Sequence, residues 1–179
     1  MTQELVATPA ARPIRIRPIE PGDADAVRAF YAALSDDSRR RRFLSAGTAV
    51  DAADATFFCG PDHSHREGFI AVAETVEGEA IVGHLCVEPA APHAAEIAVA
   101  VADAFQGRGI GRRLAGEAVR WARRHGVDRF EATCAVDNAG ILRLFRGLGR
   151  PLSFGPLSGG AMELSIDLSR TPAQHVVAA

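Results

Sequence analysis

The residues with the clearest chemical capacity form a glycine-rich segment, Gln106-Gly107-Arg108-Gly109-Ile110-Gly111. It follows an apolar stretch typical of a strand, 96–101, and precedes an amphipathic stretch typical of a helix, 112–124. A glycine-rich turn that leads into a helix exposes unpaired backbone N–H groups at the positive end of the helix dipole. Such a turn is suited to a phosphate or pyrophosphate, and Arg108 and Arg112 add positive charge.

This segment can be compared with three known patterns of phosphate-binding loop. A dinucleotide fingerprint requires glycine or alanine where Arg112 stands, which weakens that interpretation without excluding it. A Walker P-loop requires lysine, but all 20 basic residues of the chain are arginine, which also excludes Schiff-base mechanisms. The third pattern, Gln/Arg-x-x-Gly-x-Gly/Ala, is matched fully by Gln106, Gly109 and Gly111.

Through this third pattern the chain resembles the GNAT superfamily of N-acetyltransferases, whose loop wraps the pyrophosphate of acetyl-CoA. The strand predicted at 129–136 is followed by Asp137-Asn138 and a short helix closing in Leu148-Gly149, as in that family. The resemblance covers about residues 14–168. It implies an α/β (α+β) GNAT fold, with a mixed, mostly antiparallel sheet flanked by helices. It also implies direct acetyl transfer from acetyl-CoA to a primary amine.

The resemblance assigns two groups of residues to acetyl-CoA. Val99, Ala100 and Val101 would bind the pantetheine arm through their backbone, and Asn138 would contact the same region of the cofactor. The pyrophosphate would bind the residues of the loop: Gln106, Gly107, Arg108, Gly109, Ile110, Gly111 and Arg112. The small apolar side chains at 99–101 are equally compatible with a buried strand that binds nothing.

An amine must lose a proton before it attacks a thioester, so a general base is expected nearby. Glu96 is the first candidate, because it is a carboxylate at the start of an otherwise apolar strand. Acetyltransferases acting on protein lysines place a glutamate at a similar point. We expect partial burial of its side chain, and a solvent-facing residue at a strand end is the alternative. Glu88 and His84 on the preceding strand are further candidates, although His84 is more typical of a packed residue.

The family often carries a tyrosine on the last helix, where it protonates the leaving thiolate. This chain has Phe145 at the matching position, and its one tyrosine is Tyr31. Because Phe145 cannot donate a proton, either water protonates the thiolate or no acid is needed. The missing tyrosine also leaves open a non-catalytic domain that binds or senses acyl-CoA. Cys134 is more typical of a small core residue than of a covalent carrier, which favours direct transfer.

The N-terminal part contains the pattern Leu34-Ser35-x-x-Ser38-x-x-x-Arg42-Phe43. Here the chain is similar to the acetyltransferase domain of bacterial protein lysine acetyltransferases, which modify acyl-CoA synthetases. The similarity implies a protein lysine as acceptor, and a small-molecule amine is the alternative. The block Arg39–Arg42 either attracts an acidic partner or forms a solvated helix face paired with Asp36 and Asp37. A lysine acetyltransferase without lysine cannot acetylate its own side chains.

The composition sets the remaining expectations. The 179 residues predict one domain at 13–170, with a disordered leader at 1–12 and a disordered tail at 171–179. A net charge of −2 does not indicate the excess of positive charge that nucleic-acid binding requires. No apolar run is long enough to span a membrane. Three scattered cysteines favour reduced thiols and a cytoplasmic location. The segment 59–65 is only a weak metal pattern, so no metal is expected, and the sequence does not choose between a monomer and a homodimer.

Hydrophobic periodicity and turn residues predict the elements that must hold these residues in place. A hairpin is expected at Glu77-Gly78. Strands are predicted at 14–17, 69–73, 80–87, 96–101, 129–136, 152–154 and 162–166, and helices at 23–34, 35–43, 50–58, 112–124 and 139–149.

Overall fold

The computed structural model describes residues 13–75 and 78–170. The predicted leader, the predicted tail and the turn residue Glu77 lie outside the described residues. The strands are β1 (Arg15–Pro18), β2 (Glu67–Thr75), β3 (Gly78–Ala91), β4 (Ala94–Val101), β5 (Arg129–Ala135), β6 (Leu152–Ser158) and β7 (Ala161–Asp167). The α-helices are α1 (Ala24–Ala32), α2 (Asp36–Phe43), α3 (Ala52–Phe58), α4 (Ile110–Arg124) and α5 (Ala139–Arg146). Every predicted helix and strand is present, with ends shifted by a few residues.

The seven strands form one sheet in the order β1-β2-β3-β4-β5-β7-β6. All neighbouring strands are antiparallel except β4 and β5, which are parallel because α4 returns the chain across the sheet between them. The predicted mixed, mostly antiparallel sheet is therefore confirmed. The dinucleotide interpretation is wrong, since that fold is built on a mostly parallel sheet.

Helix α4 packs on one face of the sheet through a continuous apolar stripe. Ile110, Leu114, Ala118 and Trp121 recur at helical spacing and are almost fully buried. They pack in one core cluster with side chains of the central strands and with Phe145 of α5. None of the described helices is long and apolar enough to cross a bilayer.

Helices α1, α2 and α3 cover the other face of the sheet above β1 to β4 and enclose a second core cluster. At its centre the hydroxyl of Tyr31 lies 2.8 Å from Nδ1 of His84, and both side chains are fully buried. Burial, together with the nearby Arg42 guanidinium, lowers the pKa of His84 to about 3. Burial also raises the pKa of Tyr31 to about 12. Both groups are therefore neutral at physiological pH.

The buried imidazole makes stability depend on pH. Because the pKa of His84 is about 3 in the folded chain and about 6.5 when unfolded, the unfolded chain binds more protons between these values. This contribution to stability is complete above about pH 6.5 and is lost as the pH falls towards 3. Between pH 7 and 4.5, we expect the wild-type free energy of unfolding to fall roughly 2 kcal/mol further than that of His84→Gln. Urea denaturation at both pH values measures the difference.

The matched control is His65→Gln, since the side chain of His65 is 79% exposed. Its pH dependence should parallel that of the wild type. A His84→Gln profile that also ran parallel to the wild type would contradict the prediction.

Candidate active site

The central feature of the site is the separation of β4 from β5. The two strands are paired only from Ala94 to Glu96 on β4 and from Arg129 to Glu131 on β5. Beyond this point β4 continues to Val101 along β3, whereas β5 continues along β7. The edge of β4 that faces β5 therefore lacks a partner along 97–101 among the described strands. An unpaired strand edge can hydrogen-bond an extended ligand as an additional strand would.

A cleft of about 450 Å³ lies at this opening, and we call it the loop cleft. It is bounded by the end of β4, the glycine-rich loop and the beginning of α4, with α2 and α5 contributing its remaining walls. Its lining contains the predicted residues Val99, Ala100, Val101, Gln106, Gly107, Gly109, Ile110, Gly111, Arg112 and Asn138. Arg108 is not part of this lining, and its guanidinium lies 5.0 Å from the ring centre of Phe105, which is.

The glycines of the loop have different physical roles. Gly107 and Gly109 have positive φ angles of 73° and 77°, and Gly109 is the N-cap of α4. Side chains would strain the backbone at both positions. Gly111 lies inside α4, where a Cβ atom would come within 2.6 Å of Cδ1 of Leu144. Gly111 therefore allows α4 and α5 to approach each other, a role that the loop motif alone does not indicate.

Gln106 connects the loop to α2 rather than pointing outward as a free phosphate ligand. Its Nε2 donates to the Val101 carbonyl and to Oγ of Ser38, each at 3.1 Å. Oγ of Ser38 donates to Asp103 at 2.6 Å, and Ser35 donates to the same carboxylate through its backbone N–H and its hydroxyl. Desolvation opposes ionisation of Asp103, but these hydrogen bonds outweigh it and hold the pKa below the usual value. Sequence analysis missed Asp103.

Four arginines line the loop cleft, of which only Arg112 was predicted. Arg143 comes from α5, and Arg41 and Arg42 come from the last turn of α2. The Leu-Ser-x-x-Ser-x-x-x-Arg-Phe pattern was the available signal for the two α2 residues. Their positions could not be predicted, because they depend on how Asp103 holds α2 against the loop.

The arginine block does not form a free basic surface. Arg39 pairs with Asp36, and both Arg40 and Arg41 pair with Asp37. Arg40 also reaches Asp137, at 3.2 Å. The expected pairing with Asp36 and Asp37 is therefore observed for these three arginines. Arg42 instead contacts Cys86 and the ring of Phe43.

Two residues of the α5 region that the sequence analysis considered for the site contribute to the structure itself. Oδ1 of Asn138 accepts a hydrogen bond from the backbone N–H of Ile141 at 3.1 Å and so caps α5, while the residue also lines the loop cleft. Phe145 is buried in the core and takes no part in the lining. Tyr31 does not line the loop cleft either, so no phenol side chain lies in that cleft.

A second cleft, of about 410 Å³, lies on the same sheet face as α1 to α3 but beyond the strands that these helices cover, and we call it the acidic cleft. Its lining comes from four neighbouring strands: Glu96, Glu131, Ala132, Thr133, Ser153, Phe154, Gly155, Glu163, Leu164 and Ser165. Register places Glu96 opposite Glu131, and Thr133 opposite Glu163, so these side chains share one face. The acidic cleft meets the opening of the sheet at the Glu96–Glu131 pair.

Glu96 differs from the glutamates beside it. It is exposed, contrary to the expected partial burial, because no helix covers this part of the face. Glu88, opposite it on β3, is held by Arg66 through two contacts of 2.5 and 2.9 Å, and Glu131 is paired with Arg129 at 3.0 Å. Glu96 has no hydrogen-bond or ion-pair partner within the described part of the chain. Of these three carboxylates, it is the one that forms no ion pair with an arginine of the described residues.

The other candidates of the sequence analysis lie outside both clefts. His84 is buried against Tyr31, as expected of a packed residue, and Cys134 is buried in the first core cluster. Asp62 accepts three backbone hydrogen bonds within its own turn, and Cys59 is buried. Within 13–75 and 78–170, no group of three or more His, Cys, Asp and Glu residues could hold a metal ion.

Comparisons with known proteins agree with this geometry. The model of the acetyltransferase (GNAT) family matches residues 27–149. The GNAT domain of PAT from S. lividans is 30% identical, with a TM-score of 0.75 over 86% of this chain and 90% of that one.

Two more distant structures share the fold. YncA from Salmonella typhimurium, solved with its cofactor acetyl-CoA, is 19% identical, with a TM-score of 0.67 over 89% of this chain and 96% of that one. A ribosomal-protein-S5-alanine acetyltransferase from Vibrio fischeri is 15% identical, with a TM-score of 0.68 over 87% and 93%. From the family match and the likeness to the S. lividans domain, we conclude that this chain belongs to the GNAT family of acetyltransferase enzymes.

Proposed function

We propose that the protein transfers an acetyl group from acetyl-CoA directly to a primary amine, with Glu96 as general base. The observation that carries this proposal is that both clefts border the opening between β4 and β5: the acidic cleft is lined by the last strand pair, Glu96 and Glu131, and the loop cleft by residues 99–101 just beyond it. The loop cleft suits a phosphate-bearing cofactor, and the acidic cleft suits a cationic amine. Glu96 stands at the junction, where the amine and the thioester must meet.

The loop cleft offers groups that suit the pantetheine arm and the pyrophosphate of acetyl-CoA. The free edge of β4 at 97–101 offers backbone hydrogen bonds to the amide groups of the pantetheine arm. The first turn of α4 offers unpaired N–H groups to the pyrophosphate, and Arg112 and Arg143 add positive charge. The acetyl group then lies towards Glu96, because the pantetheine arm runs from the loop along β4. Acetyl-CoA bound to YncA supports this choice of cosubstrate.

The proposed reaction takes place in two steps. Glu96 accepts a proton from the amine, whose nitrogen attacks the acetyl carbon, and the carbonyl electron pair moves onto oxygen. Collapse of this intermediate breaks the carbon–sulfur bond and releases the coenzyme A thiolate. Water protonates the thiolate in this scheme, since Phe145 is buried and Tyr31 lies in the second core cluster.

A protein lysine is the proposed acceptor, with a small-molecule amine as the alternative. The likeness to the GNAT domain of S. lividans PAT supports the first, as does the Leu34-Ser35-x-x-Ser38 pattern. The acidic cleft favours a cationic acceptor of either kind, whereas the paired arginines of α2 do not favour an acidic one. The three free, buried cysteines fit the reducing cytoplasm.

The first prediction tests the base. Glu96→Gln should lower kcat/KM for the amine by roughly 100-fold or more, because removal of a general base costs this much. Binding of acetyl-CoA should be unaffected. Thiol release is measured with a lysine-containing peptide and a diamine as acceptors, and binding by calorimetry.

Glu88→Gln is the matched control, since Glu88 faces Glu96 across the strand pair but is already held by Arg66. It should keep near wild-type activity. Equal activities of the two variants would show that Glu96 is not the base. Tight acetyl-CoA binding by the wild type without turnover of any acceptor would instead favour a domain that senses acyl-CoA.

The second prediction tests the loop. Gly109→Asp should weaken acetyl-CoA binding on the order of 100-fold, because it forces a side chain into a left-handed conformation and places negative charge beside the cofactor phosphates. Gly126→Asp is the control, since Gly126 also has a positive φ, of 70°, and open space but lies beyond the far end of α4. Both variants should lose some stability, and only Gly109→Asp should lose affinity in calorimetry. Unchanged affinity of Gly109→Asp would contradict the phosphate assignment.

A further inference from the structure

Arg42 is the one residue of the α2 arginine block that forms no ion pair within the described part of the chain. Its Nη2 lies 3.2 Å from Sγ of Cys86, and its guanidinium carbon lies 4.9 Å from the ring centre of Phe43 and 5.8 Å from that of Phe58. Its Nε is buried without a hydrogen-bond acceptor in the part of the chain that the structure describes. At the same time Arg42 lines the loop cleft.

This guanidinium is desolvated, but no carboxylate among residues 13–75 and 78–170 is bonded to it. Removal of a charge from water is costly unless an opposite charge compensates for it. Desolvation lowers the pKa of Arg42, but Tyr31, Cys86 and Glu96 together outweigh this effect and raise it, so the group stays charged. A half-buried cation that borders a substrate cleft, and that forms no ion pair within the described residues, is suited to bind negative charge on the substrate.

The location of the Arg42 guanidinium relative to β4 indicates which part of the substrate it would contact. Cys86, which it contacts, is paired in register with Ala98, two residues after Glu96 on the same face. Two residues of a strand span about 7 Å. Arg42 and Glu96 interact electrostatically without forming an ion pair. The acyl carbon must lie within reach of the amine that Glu96 deprotonates, which places it between these two charged groups.

We propose that the guanidinium of Arg42 binds the acyl oxygen of the thioester and stabilises the negative charge that this oxygen gains. The inference rests on the proposed function. When the amine nitrogen bonds to the acyl carbon, the carbon–oxygen π electrons move onto oxygen beside Arg42, and the amine proton moves to Glu96. The electron pair then returns to re-form the carbonyl, and the carbon–sulfur bond breaks to release the thiolate.

The decisive test needs no turnover. S-ethyl-CoA has the length of acetyl-CoA but lacks the acyl oxygen, so calorimetry without acceptor compares the two ligands directly. The wild type should bind acetyl-CoA roughly 10-fold more tightly than S-ethyl-CoA, as expected for one charge-assisted hydrogen bond. Arg42→Met should remove this preference, and Arg42→Lys should keep part of it. The exposed Arg40 supplies the control, and Arg40→Met should match the wild type.

Kinetics provides the second readout. With the best acceptor, Arg42→Met should lower kcat by about 100-fold or more, the usual cost of removing one oxyanion-stabilising group. The KM for acetyl-CoA should change far less. A preference for acetyl-CoA over S-ethyl-CoA that survives in Arg42→Met would overturn the proposal, because a structural cation would leave it intact.

A wild-type preference for succinyl-CoA over acetyl-CoA that disappears in Arg42→Met would also overturn it, since the cation would then serve a carboxylate on the acyl chain. If the wild type turns over no acceptor, the proposed function fails. The ligand comparison still decides whether Arg42 recognises the acyl oxygen.

Discussion

The separation of β4 from β5 is the constraint on which the rest of this structure depends. Three residue pairs hold the strands together, and beyond the Glu96–Glu131 pair each strand follows a different neighbour. One free edge and two clefts result from this one break in the sheet. Because backbone polar groups need partners, the free edge of β4 is suited to a ligand that can supply them. Both the cofactor assignment and the acceptor assignment start from this geometry.

The walls of the opening are held by a small polar network rather than by apolar packing alone. Asp103 binds Ser35 and Ser38, and Ser38 in turn accepts a hydrogen bond from Gln106 of the loop. This network fixes the N-terminal turn of α2 beside the glycine-rich loop, and the helix then carries Arg42 to β4. Gln106, the first residue of the loop motif, therefore acts between two elements of the protein.

Charge is distributed unequally between the two clefts. The loop cleft receives arginines from three helices, which suits the phosphates of a cofactor, whereas the acidic cleft receives glutamates from three strands. Most of the nearby charges are neutralised in pairs, such as Arg66–Glu88 and Arg129–Glu131. Among the residues that the structure describes, Glu96 and Arg42 have no ion-pair partner, and they lie on either side of the proposed reaction centre. A base and a cation left free in this way are what acyl transfer to an amine requires.

The sequence by itself determined the order of the elements and the glycine-rich loop from Gln106 to Gly111, because periodicity and turn chemistry are local properties. It also determined that this loop is not a lysine P-loop, and it provided Glu96 as the candidate base. Only the tertiary structure decided that Glu96 is exposed, that Gly111 serves helix packing and that Asp103 and Arg42 belong to the site. These outcomes depend on side chains far apart in the chain, which meet only because β4 and β5 separate and α2 packs across the opening.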